Sequence, residues 1–110
     1  MVRSAELVIQ YTAGVSERDF MGDNKLQDAV IRRLLVVGEA AGRVSEAGRE
    51  ELLTIEWPQI RGMRNRLVHE YDNISLEAVW EIAQTEMENL VATIKPLLPT
   101  EDQLSILDES

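Results

Sequence analysis

One short stretch of the chain holds residue types that suit proton transfer and phosphate binding. His69 is the only histidine in 110 residues, and imidazole has an unperturbed pKa close to neutrality. Arg64 lies five residues before it and Tyr71 two residues after it. An arginine can hold a phosphate, and a histidine can take a proton from a 2′-hydroxyl or give one to a leaving 5′-oxygen. With Tyr71 as a hydroxyl donor or stacking surface, these residues favour RNA as the substrate.

Motifs that would indicate a catalytic metal are missing from the sequence. The chain has no cysteine, and it has no His-x-Glu or His-Glu-x-x-His spacing. We therefore expect neither a metal nor a cofactor, and a cleavage reaction that relies on side chains alone.

Helix geometry complicates the grouping of these residues into one site. On a continuous helix of about 100° per residue, Ile60, Met63, Leu67 and Tyr71 form one apolar stripe. Arg64 would fall inside that stripe, and His69 would point about 140° away from Arg64. Three arrangements could unite the two residues: a helix distorted near His69, an arginine that reaches around, or a second subunit. We hypothesise a composite site at a two-fold interface, because a dimer presents two histidines.

Structural interpretations of the same residues are also open. A lone histidine near a helix end is commonly a cap or a surface residue. Arg64 could extend from the core to a surface carboxylate, and Tyr71 could belong to the core or to an interface. Glu39, which follows Gly38, could form a buried pair with an arginine or serve the site.

Charge restricts where nucleic acid could bind. The formal net charge is −9, with eleven lysine and arginine residues in all, which argues against a broad phosphate-binding surface. Residues 61–66 hold three of those eleven and are the expected contact. No apolar run is long enough to span a bilayer and no signal peptide is evident, so we expect a cytoplasmic protein.

Apolar periodicity predicts an all-α, up-and-down antiparallel bundle of four to five helices. We expect helices at about residues 3–13, 24–44, 45–53, 58–71 and 76–95. Asp23 and Ser75 should be N-caps, and Phe20 should lie in a connector. Leu34, Leu35 and Val36 widen the stripe of the second helix, either for a dimer contact or for further neighbours in the bundle. Residues 1–98 should form the domain, and residues 99–110 an acidic, frayed tail.

The stretch resembles a known family signature. Arg64 and Asn65, followed by His69 and Tyr71, look like the R-x4-H-x-Y motif of HepT-like HEPN toxins. The likeness covers about residues 5–98, and the first helix is short against the family's usual start. The flanking blocks that match in order are Gln27-Asp28-Ala29-Val30, Gly38-Glu39-Ala40, Trp57, the residues 60–65 and Val79-Trp80.

This resemblance implies a HEPN helical bundle, a homodimer and metal-independent endoribonuclease activity of the HepT/MntA toxin–antitoxin type. It implies that Arg64 and His69 are catalytic and that Asn65 supports them. It also implies a minimal nucleotidyltransferase antitoxin, which would transfer AMP to Tyr71 or simply mask the toxin. The alternatives are a non-catalytic HEPN partner that helps a nucleotidyltransferase hold its substrate, and a structural bundle in which R-x4-H is accidental.

Overall fold

A computed structural model describes residues 1–68 and 73–97, which leaves His69, Tyr71 and the acidic tail outside the described residues. The described chain is all-α, as predicted, and has no strand. Its elements in chain order are α1 (Val2–Thr12), α2 (Glu17–Met21), α3 (Asn24–Gly42), α4 (Glu46–Glu51), α5 (Trp57–Arg61), α6 (Met63–Leu67), α7 (Leu76–Ile94) and a closing 3-10 turn (Lys95–Leu97).

The three longest helices, α1, α3 and α7, pack against one another and form the centre of the bundle. On α3 the fully buried apolar residues recur every three or four positions, which is the spacing of one helix face: Val30, Leu34, Val37 and Ala41. The short first helix joins this core, because Ala5 and Val8 are fully buried. No helix among the described residues is long and apolar enough to cross a membrane.

Side-chain caps fix where the helices begin. The backbone N–H of Leu26 donates to Asp23 over 3.0 Å, and that of Ala78 donates to Ser75 over 3.3 Å. Both predicted N-caps are therefore confirmed. Ser45 caps α4 in the same way, by accepting from the N–H of Gly48 at 3.0 Å. In each case the side-chain oxygen replaces the acceptor that the first N–H groups of a helix lack.

Phe20 does not lie in a connector, so that prediction is wrong. It sits in α2, is fully buried, and contacts the ring of Trp80 at a centroid distance of 5.1 Å. The side-chain amide of Gln27 donates to the carbonyls of Phe20 and Met21 at 2.9 and 3.0 Å. This short helix is stable because the buried ring of Phe20 and the buried side-chain amide of Gln27 anchor it to the core.

The predicted helix over residues 58–71 is also wrong in its extent. It begins near Pro58 as expected, but it breaks at Gly62 into α5 and α6, and α6 ends at Leu67. Val68 is extended and forms an antiparallel bridge with Ile74. The N–H of Ser75 donates to the carbonyl of Leu67 over 2.7 Å. The returning chain thus supplies backbone partners that a further helical turn would otherwise provide.

Candidate functional site

Arg64 and Asn65, the two described residues of the predicted motif, lie on α6 and are both exposed. Met63 and Leu67 on the same helix are fully buried. The expectation that Arg64 lies within the apolar stripe is wrong: Ile60, Met63 and Leu67 of the stripe are buried, whereas Arg64 is exposed at its edge. The angle of about 140° between Arg64 and His69 assumed one continuous helix. It no longer applies, because α6 ends at Leu67.

Arg64 opens into a cavity of about 230 Å³ between α3 and the α5–α6 segment. Arg61 and Arg64 line it from one side, and Arg32 lines it from α3. The remaining lining residues are Leu35, Gly38 and Glu39. Three arginines and one glutamate therefore line a small concave surface, and together they carry a formal charge of +2.

Gly38 explains how the two halves of the cavity come together. An ideal Cβ at this position would lie 2.8 Å from the Cβ of Met63 and 3.1 Å from the carbonyl oxygen of Ile60. Real side chains do not tolerate the first of these distances, so only glycine permits so close a helix crossing. This crossing places Glu39 and Arg32 of α3 beside Arg64.

Glu39 is exposed and lines the cavity, so the interpretation of a buried Glu39 paired with an arginine is wrong. In the described part of the chain, the ion pairs within 4 Å are Arg66–Glu86 and Lys95–Glu6. Among these residues Arg64 therefore has no carboxylate partner at that distance. Its guanidinium is available to an incoming anion.

Arg66, two residues beyond Arg64, has a different environment. Its guanidinium binds both carboxylate oxygens of Glu86 on α7, with Nη1 2.9 Å from Oε1. The hydrogen bonds that Arg66 donates to Glu86 raise the pKa of Arg66 above its ordinary value; partial burial opposes this rise, and the negative charges of Glu86 and Glu81 add to it. This bidentate pair joins α6 to α7 and fixes the position of the helix that carries Arg64.

The chemistry that this arrangement supports is phosphate binding. Guanidinium groups match phosphate oxygens in charge and geometry, and several on one concave surface can hold a phosphodiester in a defined orientation. Across residues 1–68 and 73–97, no group of three His, Asp or Glu side chains is placed to hold a metal ion.

Sequence reasoning identified part of this cavity. Arg61 and Arg64 fall within residues 61–66, the stretch expected to contact nucleic acid. Arg32 and the pair Arg66–Glu86 were missed. The spacing of Arg32, Leu35 and Glu39 places them on one face of α3, but the sequence does not say what lies opposite that face.

Comparison with known proteins gives a family for this architecture. The model of the family described as "Ribonuclease HepT-like" matches residues 1–97. A protein of Caldanaerobacter subterraneus subsp. tengcongensis named "Putative RNase" is 32% identical over 101 residues, which cover 92% of this chain and 90% of that protein. A "Probable ribonuclease HepT" of Thermococcus cleftensis is 27% identical over 97 residues, 88% of each chain. No solved structure gave a significant match.

Proposed function

Because the chain belongs to the HepT-like ribonuclease family, we propose that it is a metal-independent endoribonuclease that acts as a toxin. The observation that carries this proposal is Arg64, the motif arginine, exposed beside two further arginines in one cavity. Such a surface suits a polyanion, although the whole chain carries a net charge of −9. RNA would therefore be held at this cavity and repelled elsewhere.

The proposed reaction is an internal transesterification. The 2′-oxygen attacks the adjacent phosphorus, the bond from phosphorus to the 5′-oxygen breaks, and a 2′,3′-cyclic phosphate and a 5′-hydroxyl result. Arg64 stabilises the charge that grows on the phosphorane oxygens. His69 transfers a proton, either from the 2′-hydroxyl or to the 5′-oxygen. Asn65 would support the substrate from the same exposed surface of α6.

A homodimer would complete this chemistry. Each chain has one histidine, whereas the reaction benefits from a base and an acid. A two-fold axis near the motif would bring two copies of His69 together. Sedimentation analysis tests this arrangement, because a fully active monomer would contradict it.

The activity itself is tested by comparing purified wild type with Arg64→Ala and His69→Ala on RNA in the presence of EDTA. We expect cleavage with a 2′,3′-cyclic phosphate end for wild type and loss of cleavage for both variants. Arg18→Ala, which removes an exposed arginine on α2 outside the cavity, is the matched control. A wild-type protein that cleaves no RNA when free of its partner would instead favour a non-catalytic partner of a nucleotidyltransferase.

The proposed antitoxin is a minimal nucleotidyltransferase that switches the activity off at Tyr71. The phenolic oxygen would attack the α-phosphorus of ATP, pyrophosphate would leave, and Tyr71 would carry AMP. The added negative charge and bulk would oppose RNA phosphate near Arg64. Mass spectrometry of the toxin after co-expression with its genomic neighbour tests this step. An unmodified Tyr71 in a neutralised complex would instead indicate inhibition by masking.

A further inference from the structure

Two arginines outside the family motif share the cavity with Arg64. Arg61 lies at the end of α5 and Arg32 on α3, and both are exposed. We propose that Arg32 and Arg61 form an RNA-phosphate subsite that holds a backbone phosphate next to the one at Arg64. The choice of RNA as the ligand rests on the proposed function, but the subsite itself rests on these side chains.

The charge distribution supports this assignment. The chain as a whole repels a polyanion, so an RNA strand needs a local positive surface to remain bound. Three guanidinium groups around one cavity of about 230 Å³ supply that surface. One arginine suffices for one phosphate, and the other two therefore have capacity for a neighbouring phosphate of the same strand.

The position of the subsite is fixed by packing. Arg32 and Arg61 belong to helices that meet at Gly38, where a Cβ would contact the carbonyl of Ile60, one residue before Arg61, at 3.1 Å. Helices packed this closely cannot slide without a clash. The backbone anchors of the two side chains are thus held in one relative position, which limits the entropy lost when RNA binds.

Glu39 opposes phosphate binding in the same cavity. Glu39 lines the cavity together with Arg32 and Arg64, and its negative charge repels an incoming phosphate. If the cavity binds phosphate, removal of this charge strengthens binding. Glu39→Gln is therefore a variant whose effect is opposite in sign to that of the arginine variants.

Binding of a fluorescent single-stranded RNA tests the subsite, with His69→Ala as the parent so that the RNA stays intact. In this background we expect Arg32→Gln with Arg61→Gln to weaken binding by about tenfold or more, the effect of removing one or more charged hydrogen bonds. The slope of log affinity against log salt should become less steep by about 0.7 for each phosphate that the variant no longer neutralises. Glu39→Gln should bind more tightly, and Arg18→Gln should match the parent.

The outcomes separate this inference from the proposed function. If the double variant and Arg18→Gln share one affinity and one salt slope, or if the parent binds no RNA, the subsite is refuted. If the double variant loses affinity while wild type cleaves no RNA, the subsite stands and the ribonuclease proposal fails. If wild type cleaves RNA and the double variant is unaffected in binding and cleavage, the ribonuclease proposal stands and the subsite fails. Far-UV circular dichroism confirms that each variant is folded.

Discussion

Two arginines on opposite sides of α6 have different surroundings. Arg64 is exposed and opens into a cavity with two other arginines, whereas Arg66 is half-buried and bound by both oxygens of Glu86. Two residues separate them by about 200° around the helix. The comparison shows that the sequence alone does not tell which of two neighbouring arginines is free to bind a ligand. The packing partner decides which arginine can meet a substrate and which one holds the helix in place.

Replacing Arg64 should give the largest effect on activity and almost none on stability. We expect Arg64→Ala to lower kcat/KM for RNA by about 10² to 10³, the usual loss when one stabiliser of a developing oxyanion is removed. The melting temperature should stay within about 1–2 °C of wild type, because an exposed side chain contributes little to folding. Cleavage kinetics and thermal melts measure both. A large fall in melting temperature would place Arg64 with Arg66 as a structural residue.

Gly38→Ala should damage the cavity and the fold together. The new methyl group would overlap the Cβ of Met63 at 2.8 Å, and overpacking of this kind costs about 1–3 kcal/mol. Urea denaturation measures this destabilisation, and RNA binding should weaken as α3 and α5 are pushed apart. Gly42→Ala is the matched control, because nothing lies within 4 Å of its added Cβ. If both variants were equally stable, the close crossing at Gly38 would not be needed.

Arg66→Ala should show the opposite balance from Arg64→Ala. The free energy of unfolding should fall by about 1 kcal/mol, the scale of a well-oriented but partly exposed ion pair. A double-mutant cycle with Glu86→Ala isolates the pair. The raised pKa of Arg66 means that its stabilisation is lost only as the pH rises through that pKa, far above the working range. The difference between wild type and variant should therefore be equal at neutral and mildly alkaline pH, and a fall between them would contradict the pairing.

Asn65, which lies between the two arginines and is exposed, should give the smallest effect. We expect Asn65→Ala to lower kcat/KM by about three- to tenfold, the loss of one neutral hydrogen bond to the substrate. Its melting temperature should be unchanged. Activity equal to that of wild type would show that Asn65 does not belong to the site. Among the described residues of α6, Arg64 alone would then remain a candidate.

Much of the fold could be predicted because its determinants are local. The buried positions of α3 repeat at helical spacing, and the residues Asp23 and Ser75 cap helices through their own side chains. The end of α6 could not be predicted in this way. It depends on Val68 meeting Ile74 from the other side of the turn, and this is a contact between segments.

The candidate site likewise has one part that the sequence predicts and one part that it does not. Arg64, His69 and Tyr71 are close together in sequence, so their chemistry and their family signature could be recognised without a structure. Arg32 joins Arg64 only because α3 crosses close to α6 at Gly38. No local periodicity predicts which face of one helix will meet which face of another. The roles of His69 and Tyr71 stay predictions that the sequence makes for them.

The bridge between Val68 and Ile74 gives the end of α6 a backbone contact that hydrogen exchange can follow separately from the rest of the bundle. Next to this bridge the N–H of Ser75 donates to the carbonyl of Leu67, whereas the N–H of Val79 donates to the carbonyl of Ser75 within the first turn of α7. Opening the contact between Leu67 and Ser75 would free the first amide and leave the second protected. The ratio of their hydrogen-exchange rates therefore measures how often the end of α6 and the start of α7 separate while α7 itself stays folded.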